Sequence, residues 1–296
     1  MELAGHTGRA GRSLFHYPKW LAQNHPDAGD GFFEYVTEKK EISSRGGGDT
    51  KLAQLWHNEM PRELYHTDWV AERAIAWLNS LSEDDDWFLW MSFPAPHHPW
   101  DPPISELHRC PWRDLNLPDF YPDNPEKIVK LLEQKPRHWL EWYEGKGQFN
   151  YEVPPLFRPN TLTSDQVREV NAMVHISNEL IDEACGQVLD RIDARGWGLD
   201  TDVFYTTDHG EMQGEFGLLF KGPYHVDALM RVPMVWRPAP SVGVTPQAVN
   251  VPVGHLDLAP TFCQVAGIKA DTRMEGAPLP QQAESDRERT LTEWDS

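Results

Sequence analysis

Residues 202–207, Asp-Val-Phe-Tyr-Thr-Thr, form an apolar, β-branched and aromatic run that stops abruptly at Asp208-His209-Gly210-Glu211. That composition reads as a buried strand, and the glycine lets the backbone turn away at its end. A buried strand needs sheet neighbours and a helix to cover it. Just upstream, Val167, Val170, Val174, Ser177, Ile181, Ala184, Val188 and Ile192 recur every three to four residues. This spacing predicts a long helix over residues 164–195, opened by Ser164 and Asp165 and stopped by Gly196. Its place before the strand suits a crossover packed on a sheet. A second helix is expected from Thr67, as N-cap, with Val70, Ala74, Trp77, Leu78 and Leu81 on one face. Trp87–Phe93 reads as another strand, apolar enough to be central in a sheet. Further elements are expected at residues 125–133 (helix), from Arg231 to Trp236 (strand) and from His255 to Gly267 (helix). Helices alternating with strands define an α/β chain.

The chemistry-bearing residues fall where two of the strands end. In open α/β sheets, ligands bind just beyond the carboxyl ends of the strands. Asp208 and His209 suit a divalent cation as direct ligands, or they are simply a solvated turn. Pro94-Ala95-Pro96 halts the run at 87–93 and places His97 and His98 at its end, held by the restricted backbone. Residues 210–222 form a loop with Gly214 and Gly217 that ends by presenting Lys221. Residues 100–163 look like an insert dense in Pro, Trp and Tyr. There Trp139, Trp142 and Tyr143 either line a substrate pocket or pack the insert onto the domain. Gly46-Gly47-Gly48-Asp49 reads as a flexible turn, because no Lys-Ser/Thr follows in phosphate-loop spacing.

Charge and length restrict the possible partners. The net charge is −19, from 27 basic and 46 acidic residues, whereas nucleic-acid binding needs a basic face. The same charge disfavours anionic membranes, and no apolar run approaches a membrane span. Three widely spaced cysteines, Cys110, Cys185 and Cys263, make no disulfide framework. The opening Met-Glu-Leu-Ala-Gly-His lacks the charged and apolar regions of a signal peptide, which points to the cytoplasm. At 296 residues the chain can bury a sizeable core in one large domain or two smaller ones.

Four blocks, in order, resemble the sulfatases of the alkaline-phosphatase-like superfamily. They are Trp87–Pro103 with its Pro-His-His-Pro core, Thr206–Glu211, Phe220–His225 leading into Met230–Pro233, and Val253–Thr261. The resemblance implies a mostly parallel sheet with helices on both faces, and a metal-dependent sulfuric ester hydrolase acting on a small anionic ester. His97 aligns with a substrate-contacting histidine that binds the sulfate or protonates the leaving oxygen, with His98 beside it. Lys221 aligns with a lysine that contacts the sulfate, and Asp208 and His209 with metal ligands. Calcium is the usual metal of this family. The His at 209 is shared with the phosphatase and phosphodiesterase branches, where many sulfatases have Asn, and leaves manganese or zinc open.

Sulfatases use a formylglycine made within a Cys-x-Pro-x-Arg motif, and the nearest match here, Cys110-Pro111-Trp112-Arg113, has the wrong spacing and follows the His block. The early Asp-Asp metal ligands of the family are absent too. The chain is therefore expected to be an internal piece, a partial catalytic domain spanning 1–296, with formylglycine supplied only in an intact parent. Alone it is expected to be inactive. A phosphodiesterase or phosphonate monoester hydrolase of the same superfamily, and a non-catalytic binding protein on the same fold, are the alternatives.

Overall fold

The computed structural model describes residues 16–27, 47–122, 124–147, 153, 157–280 and 287–290. Expectations placed on residues 1–15, on Gly46 and on the last six positions lie outside the described residues. The chain divides into two compact units, residues 1–195 with 211–222, and residues 196–210 with 223–296. The first unit holds helices α1 (His16–Asn24), α2 (His66–Ser80), α3 (Pro125–Leu132), α4 (Arg137–Tyr143) and α5 (Ser164–Ala194). The second holds β1 (Val203–Thr206), α6 (Asp227–Met230), β2 (Met234–Arg237) and α7 (Leu258–Val265).

Helix α5 forms as its periodicity predicts, and all eight of the residues expected on its inner face are buried. Its start differs. Thr163, in extended conformation, is the N-cap, and it closes a capping box with Gln166. Gln166 N donates to Thr163 Oγ1 (3.2 Å) and Thr163 N donates to Gln166 Oε1 (2.9 Å). Two otherwise unpaired amides are satisfied this way, so Ser164 and Asp165 become first-turn residues. Asp165 instead meets Arg168 at 3.0 Å. Gly196 ends the helix region at φ +80°, a left-handed conformation that costs glycine little.

Helix α2 packs along α5. It begins at His66, so Thr67 lies inside the first turn and is buried rather than capping. Arg195 ties the two helices by donating to Leu81 O at 2.7 Å. Between them Tyr65, Cys110, Ala172, Ile176 and Leu180 form one apolar cluster. A second cluster joins α1 to α2 through Tyr17, Leu21, Met60, Trp69 and Val70, with Met91 and Phe93 packed against it. Helix α1 is only nine residues long and buries Tyr17, Pro18 and Leu21, too short a run for its periodicity to stand out. Arg62 and Arg109 stitch the same unit electrostatically. Arg62 meets Asp68 at 3.2 Å and Glu183, while Arg109 meets Glu106 and Glu183 at 2.7 Å each.

Residues 87–93 differ from the central strand expected of them. They alternate half-buried and exposed, with Phe88 62% and Trp90 66% exposed, and no strand is assigned to them among the described residues. The period of two is that of an extended segment with one face inward. Apolar content alone had suggested two buried faces. Parallel pairing appears as isolated bridges, Leu55 with Trp100 and Asn58 with Pro103.

In the second unit β1 and β2 pair antiparallel, Phe204 opposite Trp236. Those two rings stack at 5.0 Å, and Phe262 of α7 meets Phe204 edge-on at 5.0 Å. Asp257, at the foot of α7, receives backbone N–H groups from Gly254 (2.8 Å) and Ala277 (3.1 Å). It also meets the guanidinium of Arg287, at 2.5 Å. Burial opposes its ionisation, but these donors outweigh burial and hold its carboxyl below the usual range. No described helix is long and apolar enough to cross a membrane.

Candidate functional site

His97 and Lys221, 124 positions apart in sequence, touch. Lys221 Nζ lies 2.6 Å from His97 Nε2. His97 Nδ1 lies 2.5 Å from the carbonyl oxygen of His98. Only one set of protons satisfies both contacts with Lys221 as an ammonium. Nδ1–H donates to the carbonyl, and Nε2 accepts from the ammonium, so His97 is the neutral Nδ1–H tautomer. On that assignment the pair shares one proton at Nε2.

Several aromatic rings fix this contact. His98 is 4% exposed and stacks under His97, with ring centres 4.2 Å apart. Phe220 meets His98 edge-on at 4.8 Å, stacks on Trp100 at 5.5 Å, and meets Phe157 edge-on at 5.1 Å. Phe220 has φ +68°, a left-handed conformation that a bulky residue avoids, and its buried ring over-determines it. Lys221 therefore leaves a backbone locked by packing. Trp139, Trp142 and Tyr143 are buried. Trp139 meets Phe216 at 5.4 Å and so packs the 100–163 region against the segment that delivers Lys221, whereas Trp142 meets Phe157 at 6.1 Å within that region.

Asp208 and His209 come together in the other unit. Asp208 Oδ1 receives the amide of His209 (2.9 Å) and the hydroxyl of Thr207 (3.2 Å). His209 Nδ1 donates to Gly210 O at 2.8 Å, which leaves Nε2 as the acceptor nitrogen. That nitrogen lies 3.6 Å from Asp208 Oδ2, and the Asp208 side chain is 82% exposed. Two ligands of one cation, each about 2.0–2.2 Å from it, stand roughly 3.0–3.6 Å apart, so the pair fits a shared ion. The turn behind them is held from two sides. His255 Nε2 donates to Thr207 O at 2.8 Å, and Gly210 N donates to Leu229 O at 2.9 Å. Gly210 is glycine for space, since a Cβ there would lie 1.8 Å from Ala228 O.

A third cluster, Asp49, His57 and Glu169, was not found from sequence. Glu169 is more than a hundred residues from Asp49 and His57, the three match no spacing motif, and Glu169 lies among the buried residues of α5.

A sequence model described as Sulfatase matches residues 17–268. The chain is 28% identical over 270 residues to the uncharacterized sulfatase YidJ of Escherichia coli K12, covering 88% of this chain and 47% of that protein. It is 26% identical over 223 residues to the choline-sulfatase of Rhizobium meliloti, covering 72% of this chain and 39% of that protein. In fold it is similar to the phosphonate monoester hydrolase of Agrobacterium radiobacter, at a TM-score of 0.69 and 21% identity, covering 88% of this chain and 49% of that one. The chain thus spans less than half the length of these two sulfatase relatives.

Proposed function

This chain belongs to the sulfatase family, whose α/β fold is alkaline-phosphatase-like, and on that footing we propose that it is the anion-holding part of a sulfuric ester hydrolase. The observation that carries the reading is the 2.6 Å contact between Lys221 and His97. An ammonium held by packing gives fixed positive charge against the −19 background of the chain, suited to a small sulfate ester. The proton shared at Nε2 is placed for transfer to a departing ester oxygen. His98, stacked beneath His97, fixes the imidazole plane and so acts on the anion mainly through its neighbour.

Family membership implies a divalent metal, and Asp208 Oδ2 with His209 Nε2 fit two of its ligands. We assign calcium first, with manganese or zinc as alternatives. When bound, such an ion would supply positive charge of the kind that polarises an ester oxygen. The formylglycine nucleophile belongs to the intact parent, as no Cys-x-Pro-x-Arg occurs in these 296 residues. A cytoplasmic site of action is supported by three cysteines that are all unpaired.

Two measurements test the reading. The purified chain is expected to hydrolyse 4-nitrocatechol sulfate no faster than buffer does, and robust turnover contradicts this. It is also expected to bind the same ester in calorimetry, with Lys221→Ala weakening binding about tenfold or more, since a hydrogen bond to a charged group contributes about 1.5–3 kcal/mol. Equal affinity in the variant would remove the anion-holding role. His209, where many sulfatases have Asn, favours a second reading with phosphate or phosphonate esters. Tighter binding of phenylphosphonate than of phenyl sulfate would select it.

A further inference from the structure

We infer that Asp49, His57 and Glu169 form a site for a first-row divalent metal, independent of the Asp208–His209 pair and best suited to zinc. His57 Nε2 lies 3.9 Å from Asp49 Oδ1 and 3.9 Å from Glu169 Oε1. One ligand atom from each of the three residues falls within 4.8 Å of the others. A simple imidazolium–carboxylate pair would close to about 2.7–2.9 Å on one oxygen. The nitrogen instead stands equidistant from both oxygens. Ligands around a common ion at about 2.0–2.2 Å are spaced about 3.0–3.6 Å, so the two His57 distances close on zinc by shifts of a few tenths of an ångström and the two carboxylates draw together by up to roughly an ångström. One imidazole and two carboxylates are a donor set that zinc and its neighbours accept.

The surroundings already hold the ligands in place. Glu169 is 0% exposed, and its carboxylate accepts the backbone N–H groups of Asp49 (2.7 Å) and Thr50 (2.8 Å). Among the described residues, the only ion-pair partner recorded for it is the imidazole of His57 at 3.9 Å, so a fully buried carboxylate lacks a close charge partner. Asp49 Oδ2 is held by Trp112 Nε1 at 2.9 Å and by Arg113 at 3.4 Å, which leaves Oδ1 turned to the imidazole. Outer partners of this kind orient metal ligands. The turn itself is tight. A Cβ on Gly48 would stand 2.5 Å from Glu169 Oε1 and 1.8 Å from Leu55 Cδ2. In the same turn Thr50 Oγ1 is shielded from solvent and has no hydrogen-bond partner among the described residues. His57 and Asp49 are 30% and 41% exposed at the side chain, which gives an ion a way in.

The test uses the whole chain with Asp208→Asn and His209→Ala, so that the other pair is silent. After chelator treatment this protein is expected to bind one Zn2+ in calorimetry and to melt at a higher temperature with zinc present. Adding His57→Ala or Asp49→Asn is expected to weaken zinc at least tenfold while the circular dichroism stays unchanged. His57→Gln serves the same purpose if the alanine variant misfolds. X-ray absorption is expected to show one imidazole nitrogen and carboxylate oxygens around the metal. Absence of stoichiometric zinc, affinity indifferent to residues 49 and 57, or a sulfur shell would each overturn the assignment. Lys221 and His97 remain untouched throughout, so this result stands or falls apart from the ester-hydrolase reading.

Discussion

Replacing Trp100 with alanine is expected to destabilise the chain by about 3–5 kcal/mol, the usual cost of deleting a buried aromatic. The ring is 2% exposed and stacks on Phe220 with an interplanar angle of 19°. Its backbone is bridged on both sides, donating to Gln54 O (2.7 Å) and accepting from Trp56 N (3.0 Å). The alanine chain keeps that bridge, so the loss isolates the side chain. It also removes one wall that holds Phe220 at φ +68°. Once the wall is gone the backbone before Lys221 can relax, and the amine drifts from His97. Urea unfolding measures the first effect and calorimetry with a sulfate ester the second. Trp100→Phe preserves part of the stack and is expected to recover most of both. A loss below about 1 kcal/mol would show that Phe220 is held by its other neighbours alone.

Gly210→Ala is expected to abolish cation binding at Asp208 and His209. The new methyl would meet Ala228 O at 1.8 Å, Ala228 C at 2.8 Å and Leu229 Cα at 3.1 Å, all of them backbone atoms that cannot rotate aside. The 2.9 Å bond from Gly210 N to Leu229 O must then break, and the turn that carries both ligands swings out. Overpacking typically costs about 1–3 kcal/mol, and a ligand pair displaced from its 3.6 Å spacing no longer shares one ion. Calcium and manganese titrations by calorimetry read the effect. Gly186→Ala is the control, because a Cβ there meets nothing within 4 Å in the interior of α5. It is expected to stabilise by about 0.5–1 kcal/mol. Calcium or manganese binding in Gly210→Ala equal to that of the parent chain would refute the close-approach argument.

The α/β class and the long helix were legible in the sequence, for a physical reason. A stripe such as Val167 to Ile192 is dictated by burial on one face, and that periodicity survives any tertiary detail. His97, Lys221, Asp208 and His209 were marked by strand ends, prolines and family resemblance. Boundaries were less legible. Thr163 outcompeted Ser164 as a cap because Gln166 reaches back to it, a choice settled by side-chain geometry. Residues 87–93 were misread because apolar content does not tell whether a segment has one covered face or two. The Asp49–His57–Glu169 group was invisible because nothing local links a turn near residue 50 to a helix more than a hundred residues later.

The packing of α2 along α5 carries a consequence for how the molecule is made. Helix α2 is complete at Ser80, yet its partner begins only at Ser164. On a ribosome, residues 81–163 must all emerge before the two helices can pack. The loop-closure entropy falls due long before the contacts return it, and high contact order of this sort slows folding. In that interval α1, Met91 and Phe93 can already pack against Trp69 and Val70, but the side of α2 that meets α5 stays uncovered, an aggregation hazard that chaperones exist to manage.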